Sequence, residues 1–277
     1  MRLGSYRNSP LSLVIRILVA ASAVITAGIT FSIIIYVLAK GIPELDTGMF
    51  SWKYTEENQS MLPAIINTVY MVVLSLLISV PVGIASAIYL TEYAKRGNKF
   101  VSLIRITAET LSGIPSIVYG LVGYLIFVTG MKLGLTLLGG ALTLAIMILP
   151  LIMRTTEESL LSVPDSFREG SYGVGAGRLR TIFRIILPSA VPGILAGVIL
   201  AAGRISGETA ALLFTAGSVA RTASSLLSSS RTLSVHMYIQ QSEGLHMDEA
   251  FATAVVLLII VMIINMAAEY IAGKIKK

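Results

Sequence analysis

The sequence predicts an all-α integral membrane protein with about six transmembrane helices, and three observations carry that prediction. Hydrophobic residues make up 55% of the 277 residues and charged residues only 13%. Mean hydropathy is high, at +0.83. The apolar residues also gather into runs long enough to cross a hydrocarbon core of ~30 Å as helices. Lipid offers a backbone no water to bond, so each such run must satisfy its peptide groups internally, as a helix does. The absence of cysteine excludes disulfides and thiolate metal sites.

Six runs can be marked, at about 11 to 39, 62 to 91, 112 to 130, 135 to 153, 189 to 216 and 250 to 273. The first follows Arg2 and Arg7 and contains Ala21-Ser22-Ala23, which resembles a signal-peptidase site; the run continues to Ala39, which favours an uncleaved anchor. Pro81 should kink the second run, and Gly113-Ile114-Pro115 reads as a bent entry to the third. Arg105 and Glu109, four residues apart at the membrane edge, are expected to form a structural pair. On the fifth run, Gly193-x-x-x-Gly197 and Gly203-x-x-x-Gly207 are both expected to permit close helix approach.

Basic residues between the runs set the orientation. Fifteen lie on one side: Arg2, Arg7 and Arg16; Lys95, Arg96, Lys99 and Arg105; Arg154, Arg168, Arg178, Arg180 and Arg184; and Lys274, Lys276 and Lys277. Five lie on the other: Lys40, Lys53, Lys132, Arg221 and Arg231. The positive-inside rule then puts both termini in the cytoplasm. The net charge of +6 follows membrane topology and lipid contact, and nucleic acid is not an expected partner.

Outside lie a loop from about 40 to 61, a link near Lys132 and a stretch from about 217 to 249. Phe50, Trp52 and Tyr54 in the first suit an interfacial anchor or a docking surface. The last holds a Ser-rich run, Ser224 to Ser230, and a surface helix expected from Leu233 to Gln241. His236 and His246 have no metal-like spacing to a third ligand and read as solvated histidines.

Inside, the stretch from 155 to 188 is too long for a turn and too charged for a span. Pro164 followed by Ser166-x-x-Glu169 predicts a capping box and a helix from about Phe167. Gly170, Gly173, Gly175 and Gly177 should interrupt it, and a second amphipathic helix should run from Arg178 to about Leu187, ahead of Pro188. This compact knob suits either a partner protein or the membrane surface.

Arg204 and Glu208 stand four residues apart in the fifth run, with Arg204 near its middle, and on one helix they would share a face. A charge at the bilayer centre costs roughly 2.5 to 3.5 kcal/mol on insertion scales, so the pair needs a reason. It is either a structural ion bridge or an arginine facing a wet path and meeting an anion with its planar fork of donors. Arg154 ends the fourth run, where topology alone explains it, though it could also line the inner end of a path.

The chain has no G-x-x-x-x-G-K-[ST]: Gly173-Val174-Gly175-Ala176-Gly177 is followed by Arg178-Leu179, which lacks the phosphate-gripping Lys-Ser/Thr. H-E-x-x-H and G-x-S-x-G are missing too, so no catalytic residues, metal or cofactor are expected.

The knob resembles the cytoplasmic motif of permease subunits of ATP-binding-cassette importers: Glu-Ala-Ala, three residues, Gly, nine residues, then Ile-x-Leu-Pro. Glu169, Gly175, Ile185, Leu187 and Pro188 fall in register, with Gly170 and Ser171 in place of the two alanines. Residues 110 to 118 (TLSGIPSIV), 149 to 157 (LPLIMRTTE) and 203 to 217 (GRISGETAALLFTAG) are similar to the PstA family of phosphate-importer permeases, over about residues 60 to 272. The resemblance implies the type-I importer permease fold with a cytoplasmic coupling helix. An N-terminal helix and extracytoplasmic loop would occupy 1–61, the permease core 62–273 and a basic tail 274–277. It implies that Arg204, Glu208 and Arg154 serve the substrate path and that Glu169, Gly170, Ser171, Gly175, Ile185, Leu187 and Pro188 couple to the ATPase. The partners implied are a PstC-like permease as heterodimer, a PstB-like ATPase dimer that performs the hydrolysis, and an extracytoplasmic phosphate-binding protein. On the residues alone, a permease for another oxyanion or small solute and an ATPase-independent channel or sensor stay open. In the importer reading the knob is a lever: its docked movement rocks the fifth helix and changes which side Arg204 faces, while Glu208 holds the arginine when the anion is absent.

Overall fold

The computed structural model describes residues 10–95, 97–244 and 246–275. Of the basic residues used for orientation, Arg2, Arg7, Arg96, Lys276 and Lys277 lie outside the described residues, as do the proposed tail's last two positions. Among the described residues all regular structure is helical. The helices are α1 (Pro10–Gly41), α2 (Leu62–Ile88, continued by a widened π turn at Tyr89–Tyr93), α3 (Lys99–Ser112), α4 (Ser116–Gly123, continued by a π turn at Tyr124–Gly130) and α5 (Leu137–Leu161). They go on as α6 (Asp165–Gly173), α7 (Arg178–Thr181), a π turn at Ile182–Ile186, α8 (Leu187–Ser206), α9 (Ala210–Thr215), α10 (Leu233–Glu243) and α11 (Met247–Ile275).

Five helices are long and apolar enough to cross a membrane, and a sixth span is available if α3 and α4 count as one, bent by 104° between them. The bend falls at Gly113-Ile114-Pro115, as the sequence predicts, because proline cannot donate to the helix before it and disfavours α geometry in the residue ahead. The fourth span runs eight residues past its expected end, to Leu161.

α5 is the centre of the bundle. Leu144, Ile148 and Ile152 on α5 are buried against Met71 and Val72 of α2, Ala201 and Ile205 of α8, and Leu212 of α9. Close approach is built from small residues: a Cβ at Gly83 on α2 would strike Ile152, and Cβ atoms at Gly193 and Gly197 on α8 would strike Ser159 and Thr155. The other glycine pair does not act this way. Gly203 has only Asn265 nearby, at 3.6 Å, and Gly207 has open space and caps the helix.

The fifth apolar run is two helices, not one. α8 stops at Ser206, and α9 is a short helix followed by a loop that folds back on the start of α5. The carbonyls of Thr215, Ser228 and Leu226 accept from the amides of Thr136, Leu137 and Leu138, so first-turn donors of α5 are met by irregular backbone. The start of α8 differs as well. Pro188 was expected to separate two helices, yet the chain is helical from Arg178 to Ser206. The π turn explains it: the Leu187 amide donates to the Ile182 carbonyl, five residues back, and this wider turn makes room for the ring of Pro188.

α10 is no surface helix. Residues 231 to 236 are buried, and Thr68 Oγ1 accepts from the Leu233 amide while Thr253 Oγ1 donates to Gln240. His236 is therefore fully buried rather than solvated; desolvation, helped by the Arg231 charge and opposed by a weak contact to the Gln59 backbone, lowers its pKa to about 3. His246 is part-exposed, 3.4 Å from Glu249. Trp52 and Phe50 stay exposed, but Tyr54 turns inward, with the Arg231 guanidinium 4.6 Å above its ring and His236 edge-on at 6.1 Å. It therefore does not belong to an interfacial aromatic group.

Candidate functional site

Arg204 lies in the last turn of α8, not in the middle of a span. It is exposed, and it forms no ion pair among the described residues. An open cleft of about 590 Å³ lies beside it, walled by Leu151, Ile199, Leu200, Gly203, Asn265 and Glu269. The wall is mostly apolar, with one cation, one anion and one amide, the composition of a site that must orient a small charged solute.

Glu208 does not share a helix face with Arg204, and the expected contact between them is not made. The helix breaks at Gly207, so the four-residue spacing no longer means one turn. Glu208 is instead 9% exposed, its carboxylate accepts from the Ala211 amide at 3.2 Å, and its carbonyl accepts from Ser234 Oγ at 2.6 Å. The carboxylate therefore caps the start of α9, and the backbone ties the break to α10.

Arg154 sits apart from Arg204, in a second cleft of about 310 Å³ between α3 and α5. It bonds Glu158 at 3.0 Å, one turn along α5, and both are well exposed. Arg105 lines the same cleft and pairs with Glu157 of α5 at 2.5 Å, not with Glu109 as the spacing suggested. Two arginines and three carboxylates, Glu109 among them, share this cleft. The structure thus places the three predicted path residues at three sites: one free arginine, one buried helix cap and one arginine held by a carboxylate.

The knob is α6, the turn at Val174 to Gly177, and α7. The predicted capping box is not formed: α6 begins at Asp165 behind Pro164, two residues early, and no side chain caps it. Proline's fixed φ suits that entry, and Asp165 in the first turn complements the helix dipole. Gly170 and Gly173 lie within α6 instead of interrupting it, and the turn rests on Gly175, whose φ of +80° suits a residue without Cβ. Glu169, Gly170 and Gly175 are exposed. Ser171 is buried and bonds Thr181 at 2.8 Å, so the hydroxyl at this second alanine position joins the two helices of the knob. Ile185 and Leu187 pack against a buried cluster with Ile182, Ile186 and Ile194, and Pro188 is exposed in the first turn of α8. Phe167, Val174, Leu179 and Phe183 are at least half exposed, giving the knob an apolar outer face.

Sequence reasoning missed Glu92, Asn67, Asn265 and Glu269. Each had a weak signal, a polar residue inside or at the end of an apolar run, and only the packing shows what each one meets.

Comparison with known proteins places the chain in a family. Residues 79–277 match the family described as binding-protein-dependent transport system inner membrane component. The chain is 34% identical to the probable ABC transporter permease protein YqgI of Bacillus subtilis, over 92% of both chains. It is 41% identical to the phosphate transport system permease protein PstA of Pasteurella multocida, over 66% of each chain. Among solved structures, one inward-facing form of the MetNI methionine ABC transporter aligns with a TM-score of 0.60 at 18% identity, covering 78% of this chain and 94% of that one. The chain belongs to the family of binding-protein-dependent transport system inner membrane components, as a permease subunit of an ABC importer whose ATP is hydrolysed on a separate chain.

Proposed function

We propose that this permease carries phosphate and that Arg204 is the residue that meets it. The observation that carries the reading is an exposed guanidinium, with no ion pair among the described residues, beside an open cleft between α5, α8 and α11. A solute with two or more charged oxygens fits a planar fork of donors better than it fits a lysine. Support for phosphate over other oxyanions comes from the names of relatives such as the Pasteurella multocida PstA. Glu208 contributes by fixing the break that ends α8 just beyond Arg204. Arg154, held by Glu158, lies at the inner end of the path, where a passing anion competes with the carboxylate. The partners are a PstC-like permease, a PstB-like ATPase dimer seated on the apolar face of the knob through Glu169 to Gly175, and an extracytoplasmic phosphate-binding protein. Uptake of phosphate into vesicles holding the whole complex is expected to be unaffected by a tenfold excess of sulfate or molybdate. Competition by either at equal concentration would reassign the substrate.

In this reading the knob and both termini face the cytoplasm, as the distribution of Lys and Arg implies. The chain has no native cysteine, so introduced cysteines report without background. A cysteine at Val174 should react with an impermeant maleimide only in inverted vesicles, and one at Trp52 only in right-side-out ones. The opposite pattern would reverse the topology.

A further inference from the structure

α2 is anchored at both ends by side chains that the transport reading does not use. At the inner end Glu92, 7% exposed, accepts from Arg168 Nε at 3.2 Å and Nη2 at 2.8 Å. Arg168 spends its other donors on the carbonyls of Leu160 and Val163 and on Asp165. Arg178 donates to the Glu92 carbonyl and stacks on Tyr93, 4.8 Å from the ring centre. Both halves of the knob, on either side of the Gly175 turn, are thus tied to one residue.

At the outer end Asn67 is fully buried. Its Nδ2 donates to the carbonyls of Arg221 at 2.9 Å and Arg231 at 3.1 Å, and its Oδ1 accepts from the Ala223 amide at 2.9 Å. Next to it, Thr68 Oγ1 accepts from the first amide of α10. One asparagine therefore uses three of its four hydrogen-bonding positions to hold the outer loop. The two anchors are 25 residues apart on continuous helix, about 37 Å. Between them Gly83 lies against Ile152, so α2 and α5 are in close contact midway along this helix.

We infer that α2 is a second transmission rod, parallel in role to α8: Glu92 takes up movement of the knob and Asn67 delivers it to the outer segment 221–233. α8 ends at Gly207, so its own route to the outer segment passes through the break and α9, by way of the Glu208–Ser234 contact and the Ala216 carbonyl, which accepts from the Ser230 amide. A packed helix with side-chain networks at both ends is a physical route for such coupling, and Glu92 and Asn67 act as positioning residues on it. The inference rests on the knob being the ATPase-docking element.

Two spin-labelled pairs in the reconstituted complex test it. One joins Val174, 85% exposed, to the ATPase; the other joins Leu227, 60% exposed, to the outer face of the companion permease. In the otherwise unaltered chain, ATP binding is expected to change both distances. Glu92→Gln should keep the change at Val174 and reduce that at Leu227 to less than about half. A full response at Leu227 overturns the rod. No response at Val174 without Glu92→Gln removes the docking reading itself, and the inference with it. Where Glu92→Gln prevents assembly, Asn67→Ser cuts the same route at its far end and leaves the knob untouched. The same loss at Leu227 alone is then expected, and a full response there overturns the inference.

Discussion

Arg204→Gln is expected to lower phosphate uptake about 100-fold while the complex still assembles, since losing a charge-assisted fork to an anion costs roughly 2 to 5 kcal/mol and 1.4 kcal/mol is tenfold. Stability should not explain the loss. The side chain is exposed and forms no ion pair among the described residues, so its removal breaks no salt bridge there. A charge within the bilayer is itself unfavourable for insertion, so the neutral variant is no harder to insert. Arg204→Lys separates charge from geometry: it keeps the attraction and loses the planar fork, and about a tenfold loss is expected. Radiolabelled uptake, normalised to complex recovered by size exclusion, is the measurement. Full uptake by Arg204→Gln would remove this arginine from the path.

Gly197→Leu is expected to have the largest effect on folding. A Cβ alone at this position meets the hydroxyl and Cβ of Thr155, and the longer side chain must push α8 away from α5. Overpacking of this kind costs typically 1 to 3 kcal/mol, so recovery of the assembled complex should fall to about a tenth or less. Thr155→Ala in the same chain vacates part of the space, and recovery should return in part. Gly207→Ala is the control on the same stretch: its Cβ would meet open space and φ there is −92°, so recovery should be normal. Normal recovery of Gly197→Leu would mean that the α5–α8 contact is looser than described.

The residues that were legible from sequence are those whose role depends on local spacing. Gly113-Ile114-Pro115 bends the chain whatever surrounds it, and Gly193 and Gly197 lie one turn apart inside an unbroken helix. The same four-residue rule failed for Arg204 and Glu208, because a glycine that permits close packing can equally end a helix. At Gly207 it ends one. Pro188 misled in the opposite direction: one extra residue in the preceding turn absorbs a proline that would otherwise stop the helix. His236 and α10 looked polar enough for the surface, but α10 is held by Thr68 and Thr253, and His236 lies against Tyr54, all on other segments of the chain. Glu92 was invisible for the same reason, since Arg168 lies 76 residues away and counted before only as a topology signal.

The π turn at Ile182–Ile186 has a consequence for what the motor can deliver. Each residue of a helix advances it by about 100° and only 1.5 Å, so one surplus residue between the knob and Arg204 barely changes length but sets azimuth. Deleting it would leave a straighter, tighter helix whose arginine points more than a quarter of a revolution away from its cleft. In the proposed coupling, a stroke received at the knob would thus become a heading for the guanidinium, set by a single turn of backbone.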